Sequence, residues 1–399
     1  MNKRILFLIL LAALLLVAAD AEPAPDITDR AVISVSANSR QLTLMLDDDY
    51  RTEWATDKKG AGIEVLLPDD SPCCGVYLNL GGTLGRMEVQ APDGRGWKTV
   101  TEPVTVQPNQ LFEVPGLTHF RVYCPKGRLR VIELRLFGPG ELPEYVCRFQ
   151  KSLDKTDMLV MSCHPDDDIL WYGGLLPTYA GEYGMDIQVV YMCHRFSYRR
   201  CEAMDALWHC GVRRAPIFMG FKDIGNADYE HCVAGWGGIQ STARRIARVI
   251  RQVRPEVVIS QDIEGEYGHH QHVAMTAACG YAVKLAADPT QRTLKDLPVW
   301  EVKKYYVHLG ENDPLILDYD RPLTAFGGKT GLTVAREAFL LHRSQQTGRY
   351  SVEAEGPYDC RKFGLEYSSV GGDERHDGLF EHIPGLYERE TGAPQAGTV

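Results

Sequence analysis

Apolar and polar positions alternate with a period of two in short runs between residue 27 and about residue 137. The runs are Ala31 to Ser36, Gly62 to Leu67, Gly75 to Leu80, Arg86 to Gln90, Leu111 to Val114, His119 to Cys124 and Leu129 to Phe137. Turn residues such as Pro92-Asp93-Gly94 separate them. Half-buried strands give this spacing, which predicts a β-sandwich or jelly roll over residues 27–139. Gly138-Pro139-Gly140 breaks the pattern, and residues 140–156 read as a linker. From Asp157 the rhythm becomes strand then helix. Strands are predicted at Met158–Cys163, Asp186–Cys193, Pro216–Phe221 and Glu256–Ser260. Helices are predicted near Asp168–Ala180 and at Arg199–Cys210, Ile239–Val253 and His270–Ala287. Trp300–Leu309 and Thr333–Gln346 read as a further strand and a closing helix. Such alternation predicts an α/β domain, a mainly parallel sheet with helices on both faces, over residues 157–386 including a C-terminal extension. Residues 387–399 read as a disordered tail.

Composition adds to this picture mainly by exclusion. The 399 residues carry a formal charge of -10 and no long basic run, which argues against nucleic acid as the main partner. Met1-Asn2-Lys3-Arg4 is basic, Ile5 to Ala19 is apolar, and Ala19-Asp20-Ala21 fits a small-x-small cleavage site. The apolar run is short for a span of about 20 residues. Residues 1–21 therefore read as a signal peptide, with a secreted or extracytoplasmic chain starting near Glu22. An uncleaved membrane anchor is the alternative. The eleven cysteines are odd in number and show no C-x-x-C spacing. Cys163, Cys193 and Cys279 lie in apolar segments where free Cys behaves as a small hydrophobe. Cys73, Cys74 and Cys124 are the candidates for a bridge, with the pairing open.

Candidate chemistry concentrates at two strand-to-helix turns. The first is His164-Pro165-Asp166-Asp167-Asp168. The second runs from Gln261 through Asp262, Glu266, Tyr267, Gly268 and His269 to His272. In an open α/β sheet such turns meet beyond the carboxyl ends of the strands. His269 and His272 are three apart, so one helical turn puts them on one face, while His270 points elsewhere, towards solvent. Zinc takes imidazole nitrogen and carboxylate oxygen, and His164, Asp167 and His272 would make a His₂Asp set. Asp166, beside a ligand, is placed to take a proton from water as general base. An Asp run before a helix also serves as a plain N-cap. The coincidence of two clusters, each after a strand, favours the metal site.

These residues resemble the PIG-L/LmbE-type zinc-dependent N-acetylglucosaminide deacetylases. The first motif of that family is usually His-Pro-Asp-Asp-Glu, and its second ends in Gly-His-x-x-His. Here they read His164 to Asp168 and Gly268-His269-His270-Gln271-His272. Arg199-Arg200-Cys201-Glu202 is similar to the family's Arg-x-x-Glu helix, and His342-Arg343-Ser344-Gln345 to its closing His-x-Ser-Gln helix. The resemblance covers about residues 157 to 346. It implies a Rossmann-like domain in which His164, Asp167 and His272 bind Zn²⁺ and Asp166 is the base. It also implies that His269 acts as general acid or stabilises the oxyanion, that Tyr267 polarises the acetyl carbonyl and that Arg199 holds substrate. Asp168 replaces the usual Glu, and Gln271 stands where some members carry Asp.

Weaker signals remain. Gly235-Trp236-Gly237-Gly238 reads either as a lid whose Trp236 stacks on a sugar or as a plain surface loop. Asp223 and Asp262 are candidates to line the site, against ordinary turn Asp. Gly327-Gly328-Lys329-Thr330 lacks the first Gly of a phosphate-binding loop, because Leu323 occupies that place. No Gly-x-Ser-x-Gly elbow supports a serine hydrolase. Asp47-Asp48-Asp49-Tyr50-Arg51-Thr52-Glu53-Trp54 resembles the Asp-rich, Thr-x-Trp stretch of discoidin-like (coagulation factor 5/8 type C) domains, which are galactose-binding-like. That resemblance implies a glycan-binding β-domain. The expectation is an exported zinc hydrolase that removes the N-acetyl group from an N-acetylglucosamine-containing glycan or related amino sugar. The alternatives are a non-catalytic glycan-binding protein with a relic hydrolase domain, or a metal-dependent amidase acting on a non-sugar N-acyl substrate.

Overall fold

The computed structural model describes residues 22–82, 85–126, 128–151 and 154–392. The signal segment expected at 1–21 lies outside them, as does 393–399. Among the described residues no helix is long and apolar enough to cross a membrane. The chain divides into two compact units, Met1–Cys147 and Arg148–Val399, with the division inside the segment expected as a linker. That segment is not free throughout. Gln150 is fastened to the second unit by Gln150 N to Arg213 O at 2.8 Å and Ala215 N to Gln150 O at 2.9 Å.

The first unit is β-rich. Its strands are β1 (Val32–Val35), β2 (Trp54–Thr56), β3 (Ala61–Leu66), β4 (Cys73–Leu80), β5 (Arg86–Asp93), β6 (Gly96–Thr99), β7 (Val104–Thr105), β8 (Asn109–Leu117), β9 (His119–Cys124) and β10 (Leu129–Phe137). They form two sheets, β1-β3-β9-β5-β6 with β7 beside β5, and β2-β10-β4-β8. Every pairing is antiparallel. Alternate residues of β3 and β9 are buried, and Ile63, Val65, Phe120 and Val122 join Val76, Leu78, Leu134 and Leu136 of the other sheet in one apolar core. This period-two burial follows from successive side chains pointing to opposite faces. The Asp-rich stretch closes on itself: Thr52 Oγ1 bonds both Asp47 oxygens at 3.0 and 2.9 Å, and buried Trp54 donates Nε1–H to Ala37 O at 3.0 Å.

The second unit is built on one seven-stranded sheet. Its strands are β11 (Met158–Ser162), β12 (Ile187–Cys193), β13 (Ile217–Phe221), β14 (Val257–Ser260), β15 (Lys304–His308), β16 (Pro314–Ile316) and β17 (Lys362–Ser368). The order is β13-β12-β11-β14-β15-β17-β16. The first five strands run parallel, and β17 and β16 are antiparallel additions. All five residues of β11 are buried. Met158 and Val160 enter one core with Ala203 and Leu207 of helix Tyr198–His209 and Ala335 and Ala338 of helix Gly331–Leu340. Leu159 and Met161 enter the other, with Ile246 and Ile250 of helix Ile239–Val253 and Ala278 and Ala282 of helix His270–Ala287. Helices on both faces explain why this strand is an unbroken apolar run rather than an alternating one.

Three expected elements differ. The helix expected near Asp168–Ala180 is α-helical only over Asp167–Leu170 and becomes a π-helix at Pro177–Glu182. Between them Gly173 takes φ 51°, and a Cβ there would lie 2.4 Å from Cys360 Sγ, so the chain turns where no other side chain fits. The closing helix begins earlier, capped by Thr330 Oγ1 on Thr333 N, and ends at Leu340, so His342–Gln345 lie beyond it. The tail expected from residue 387 starts instead with the helix Leu386–Thr391. Its Glu390 is buried and accepts from the amides of Leu379 and Phe380 at 2.8 and 3.0 Å, and from Tyr179 Oη.

Candidate active site

Strands β11 and β14 are direct neighbours, with Met158 opposite Val257 and Val160 opposite Ile259. The turns that leave their carboxyl ends therefore emerge side by side. Cys163 N donates to Gln261 Oε1 at 2.8 Å and stitches the two turns together.

Three ligand atoms then converge. His164 Nδ1 lies 3.0 Å from Asp167 Oδ2, His272 Nε2 lies 3.2 Å from the same oxygen, and the two ring nitrogens are 3.3 Å apart. Metal–ligand bonds of about 2.0–2.1 Å in tetrahedral array separate their ligand atoms by roughly 3.3 Å. The side chains thus already stand at the spacing that a small divalent ion imposes. Cys163 Sγ belongs to the same cluster. Burial, reinforced by Cys193, drives its thiol far above the usual range. Asp167 is fixed from both ends. His164 N donates to Oδ2 at 2.7 Å and Trp171 Nε1 to Oδ1 at 2.9 Å. Burial alone would raise Asp167, yet His272 and His164 outweigh it and hold the carboxyl well below the usual carboxylate range.

The neighbouring carboxyls have different work. Asp166 has φ 125°, a region costing on the order of 1–3 kcal/mol for a residue with a Cβ and found mostly at functional sites. Its Oδ1 accepts from Arg199 Nη2 at 2.5 Å, and the same guanidinium nitrogen donates to Pro165 O. Burial pushes Asp166 up to about 6 against the pull of Arg199. Arg199, expected to hold substrate, thus bonds Asp166 and Pro165 through Nη2. Asp168 points away from the three converging atoms. Its Oδ2 accepts from Tyr191 Oη at 2.8 Å inside the core, and burial pushes it up to about 7. The residue in place of the usual Glu is therefore a buried support for β12.

A cavity of about 580 Å³ opens over these groups. His164, Asp166, Asp167, Arg199, Tyr267 and His269 line it. His272 lies beneath and is fully buried. His269 is the N-cap of the following helix, its Nδ1 accepting from Gln271 N at 3.3 Å. With Nδ1 as acceptor, the proton of the neutral ring sits on Nε2. Burial and the rings of His272 and His164 push His269 down to about 3. Tyr267, in the left-handed region at φ 49°, stacks on Tyr350 at 4.7 Å and packs near Trp171 at 5.7 Å between centroids. His270 is exposed, with Nδ1 3.1 Å from Ala227 O. Gln271 is buried away from the His269 ring and braces the neighbouring loop, accepting from Ile224 N at 3.3 Å.

The structure places the remaining candidates as follows. Trp236 is no lid. It is 5 % exposed, packs on Phe221 in the core and donates Nε1–H to Lys222 O at 2.9 Å. Asp223 and Asp262 are absent from the cavity lining, and each accepts from an amide two residues on, Gly225 N and Glu264 N. All eleven cysteines are free, so no bridge joins Cys73, Cys74 or Cys124. Cys73 and Cys124 are buried apolar residues of the first unit's core.

Several contributors went unassigned in the sequence. Trp171, Tyr350, Arg349, Gln345 and Thr347 complete the cavity wall. Glu266 and His308, both fully buried, stand behind His272. A topological signal existed for His308: it ends β15, the neighbour of β14, at the same sheet edge. Glu202 of the Arg-x-x-Glu segment anchors the 344–350 wall by accepting from Ser344 N at 2.8 Å and Ser344 Oγ at 2.7 Å. Glu202→Ala is expected to cost about 1–3 kcal/mol, as two half-buried donors lose their hydrogen bonds to a carboxylate. It should raise KM more than it lowers kcat, because it loosens the wall and leaves Asp166 in place. Urea unfolding and steady-state kinetics would measure both.

Residues 159–283 match the family described as PIG-L: GlcNAc-PI de-N-acetylase. The chain is 30% identical over 185 residues to a 1D-myo-inositol 2-acetamido-2-deoxy-alpha-D-glucopyranoside deacetylase of Nocardioides sp., covering 37% of this chain and 60% of that protein. It is 24% identical over 298 residues to the protein of the same description from Thermomonospora curvata, covering 57% of this chain and 97% of that one. The chain thus spans about three-fifths of the first of these relatives and nearly all of the second. Among solved structures, the N,N'-diacetylchitobiose deacetylase of Pyrococcus horikoshii superposes with a TM-score of 0.37 at 18% identity, over 48% of this chain and 71% of that one.

Proposed function

We propose that this protein is a zinc-dependent de-N-acetylase that hydrolyses the acetamide of an N-acetylated amino sugar within a glycan. One observation carries the reading. Two imidazoles and a carboxylate from adjacent strand ends converge at metal-ligand spacing, beside a strained, buried Asp in a cavity. His164, Asp167 and His272 would hold the ion. When bound, zinc supplies Lewis acidity, polarising a carbonyl oxygen and easing the loss of a proton from water.

The chain's own groups do the rest. Asp166, aimed into the cavity by its backbone and by Arg199, takes a proton from the attacking water. As oxygen adds to the acetyl carbon, negative charge gathers on the former carbonyl oxygen, and the Nε2–H of neutral His269 and the Tyr267 hydroxyl are placed to donate to it. Asp166 then returns the proton to the sugar nitrogen as the C–N bond breaks, leaving acetate and a free amine. Trp171, Tyr267 and Tyr350 form the aromatic wall against which a sugar ring packs. In this reading residues 1–21 direct export, the second unit is Rossmann-like, and the β-rich unit is a discoidin-like jelly roll that holds the glycan.

The test is direct. Purified protein should carry about one zinc per chain and release acetate from N-acetylglucosamine oligomers. A chain that binds no zinc, or that binds zinc and releases acetate from N-acetyl amino acids but from no amino sugar, would overturn the reading.

A further inference from the structure

Behind the proposed zinc ligands lies a second carboxylate that the reaction itself does not use. Glu266 and His308 are both fully buried, and neither lines the cavity. Glu266 Oε2 is 2.7 Å from His272 Nδ1 and accepts from Gln261 Nε2 at 3.0 Å. Its Oε1 is 2.8 Å from His308 Nδ1 and accepts from Asp262 N at 3.1 Å. Four groups thus surround one carboxylate. His308 Nε2 in turn faces Asp359 O at 3.2 Å, so both ring nitrogens of His308 meet acceptors.

We infer that Glu266 is a positioning residue for the metal centre: it holds the proton of His272 on Nδ1 and leaves the Nε2 lone pair facing Asp167 and His164. His308, at the end of β15, fixes Glu266 in turn. The inference rests on the zinc reading above and deepens it. A buried carboxylate is costly unless paired and hydrogen-bonded, and here the shorter of its two imidazole contacts is to a ring nitrogen of a proposed ligand. A carboxylate on the far nitrogen of a metal-bound imidazole sets tautomer and ring orientation and raises ligand basicity. The Gln271 side chain bonds Ile224 N, and the His269 ring accepts only the Gln271 backbone amide in this segment, so the carboxylate support goes to His272.

The experiment compares the full-length wild type with Glu266→Gln by zinc titration against a chromophoric chelator. Glu266→Gln should bind zinc roughly 10–100-fold more weakly. At saturating zinc its kcat should fall by about tenfold while KM stays within about twofold, since Glu266 lies outside the cavity. A merely structural role would lower the melting temperature and leave the zinc affinity of the folded protein unchanged. If Glu266→Gln fails to melt cooperatively, Glu266→Asp keeps the charge on a side chain one methylene shorter and should lose about tenfold in zinc affinity. Wild-type zinc affinity in a folded variant of either kind overturns the role of Glu266. A wild type that binds no zinc removes the proposed function instead, so the two failures are distinguishable.

Discussion

Asp166→Asn should lower kcat by about 10²–10⁴-fold and leave bound zinc at the wild-type level. Asn matches Asp in volume, and its carbonyl oxygen can still accept from Arg199 Nη2, so the local geometry survives. What disappears is a group able to take a proton and give it back. Asp166 is outside the set of three converging ligand atoms, which is why metal and activity should separate. Burial brings Asp166 up to about 6, near the range where a base works best at neutral pH. Initial rates together with zinc content per chain measure the effect. A variant that keeps more than about a tenth of the wild-type kcat would rule out Asp166 as the base.

Asp167→Asn is expected to have the second large effect, on the metal rather than on proton transfer. It would remove the carboxylate of the proposed ligand set, and the loss of zinc affinity should exceed the roughly 10–100-fold that a supporting partner is worth. The amide cannot satisfy both of its neighbours. Trp171 Nε1 and His164 N both donate to the present carboxylate, so one of them would face the new NH₂ group. That mismatch should cost about 1–3 kcal/mol even without metal. Equilibrium dialysis with zinc and thermal melting would read the two consequences separately, and near-native zinc binding would contradict the assigned ligand set.

Much of this site was readable because it depends on local and topological rules. The apolar run before His164 and the one before Gln261 both read as strands, and parallel sheets bring such strand ends to one edge. His164, Asp166, Asp167, Tyr267, His269 and Arg199 accordingly share the cavity wall, with His272 beneath it. Residues judged on type alone fared worse. Trp236, between glycines, read either as a mobile lid or as a surface loop, but burial of its ring against Phe221 outweighs the permissive backbone. Asp223 and Asp262 look identical to site carboxylates in sequence and differ only in bonding to their own turns. Glu266 was hidden for the opposite reason. It lies in a loop without periodicity, and its significance comes from His308, 42 positions later, which only tertiary pairing brings near. The helix expected after His164 ends at Leu170, ahead of Gly173-Gly174, where Gly173 takes φ 51° close to Cys360; the glycine pair was the local signal of that break.

The pairing of β11 with β14 makes the ligand set a property of the folded chain rather than of either segment. His164 and His272 stand 108 residues apart in sequence, so an ion held between them closes a long loop, as a covalent cross-link would. Such an ion binds the native state and finds no equivalent in an extended chain. At a free zinc concentration of 100 times Kd it would stabilise the fold by about 2.7 kcal/mol. Metal supply would then set how long the protein survives heat and proteases as well as how fast the proposed reaction runs, and chelation would shorten its lifetime before any residue is changed.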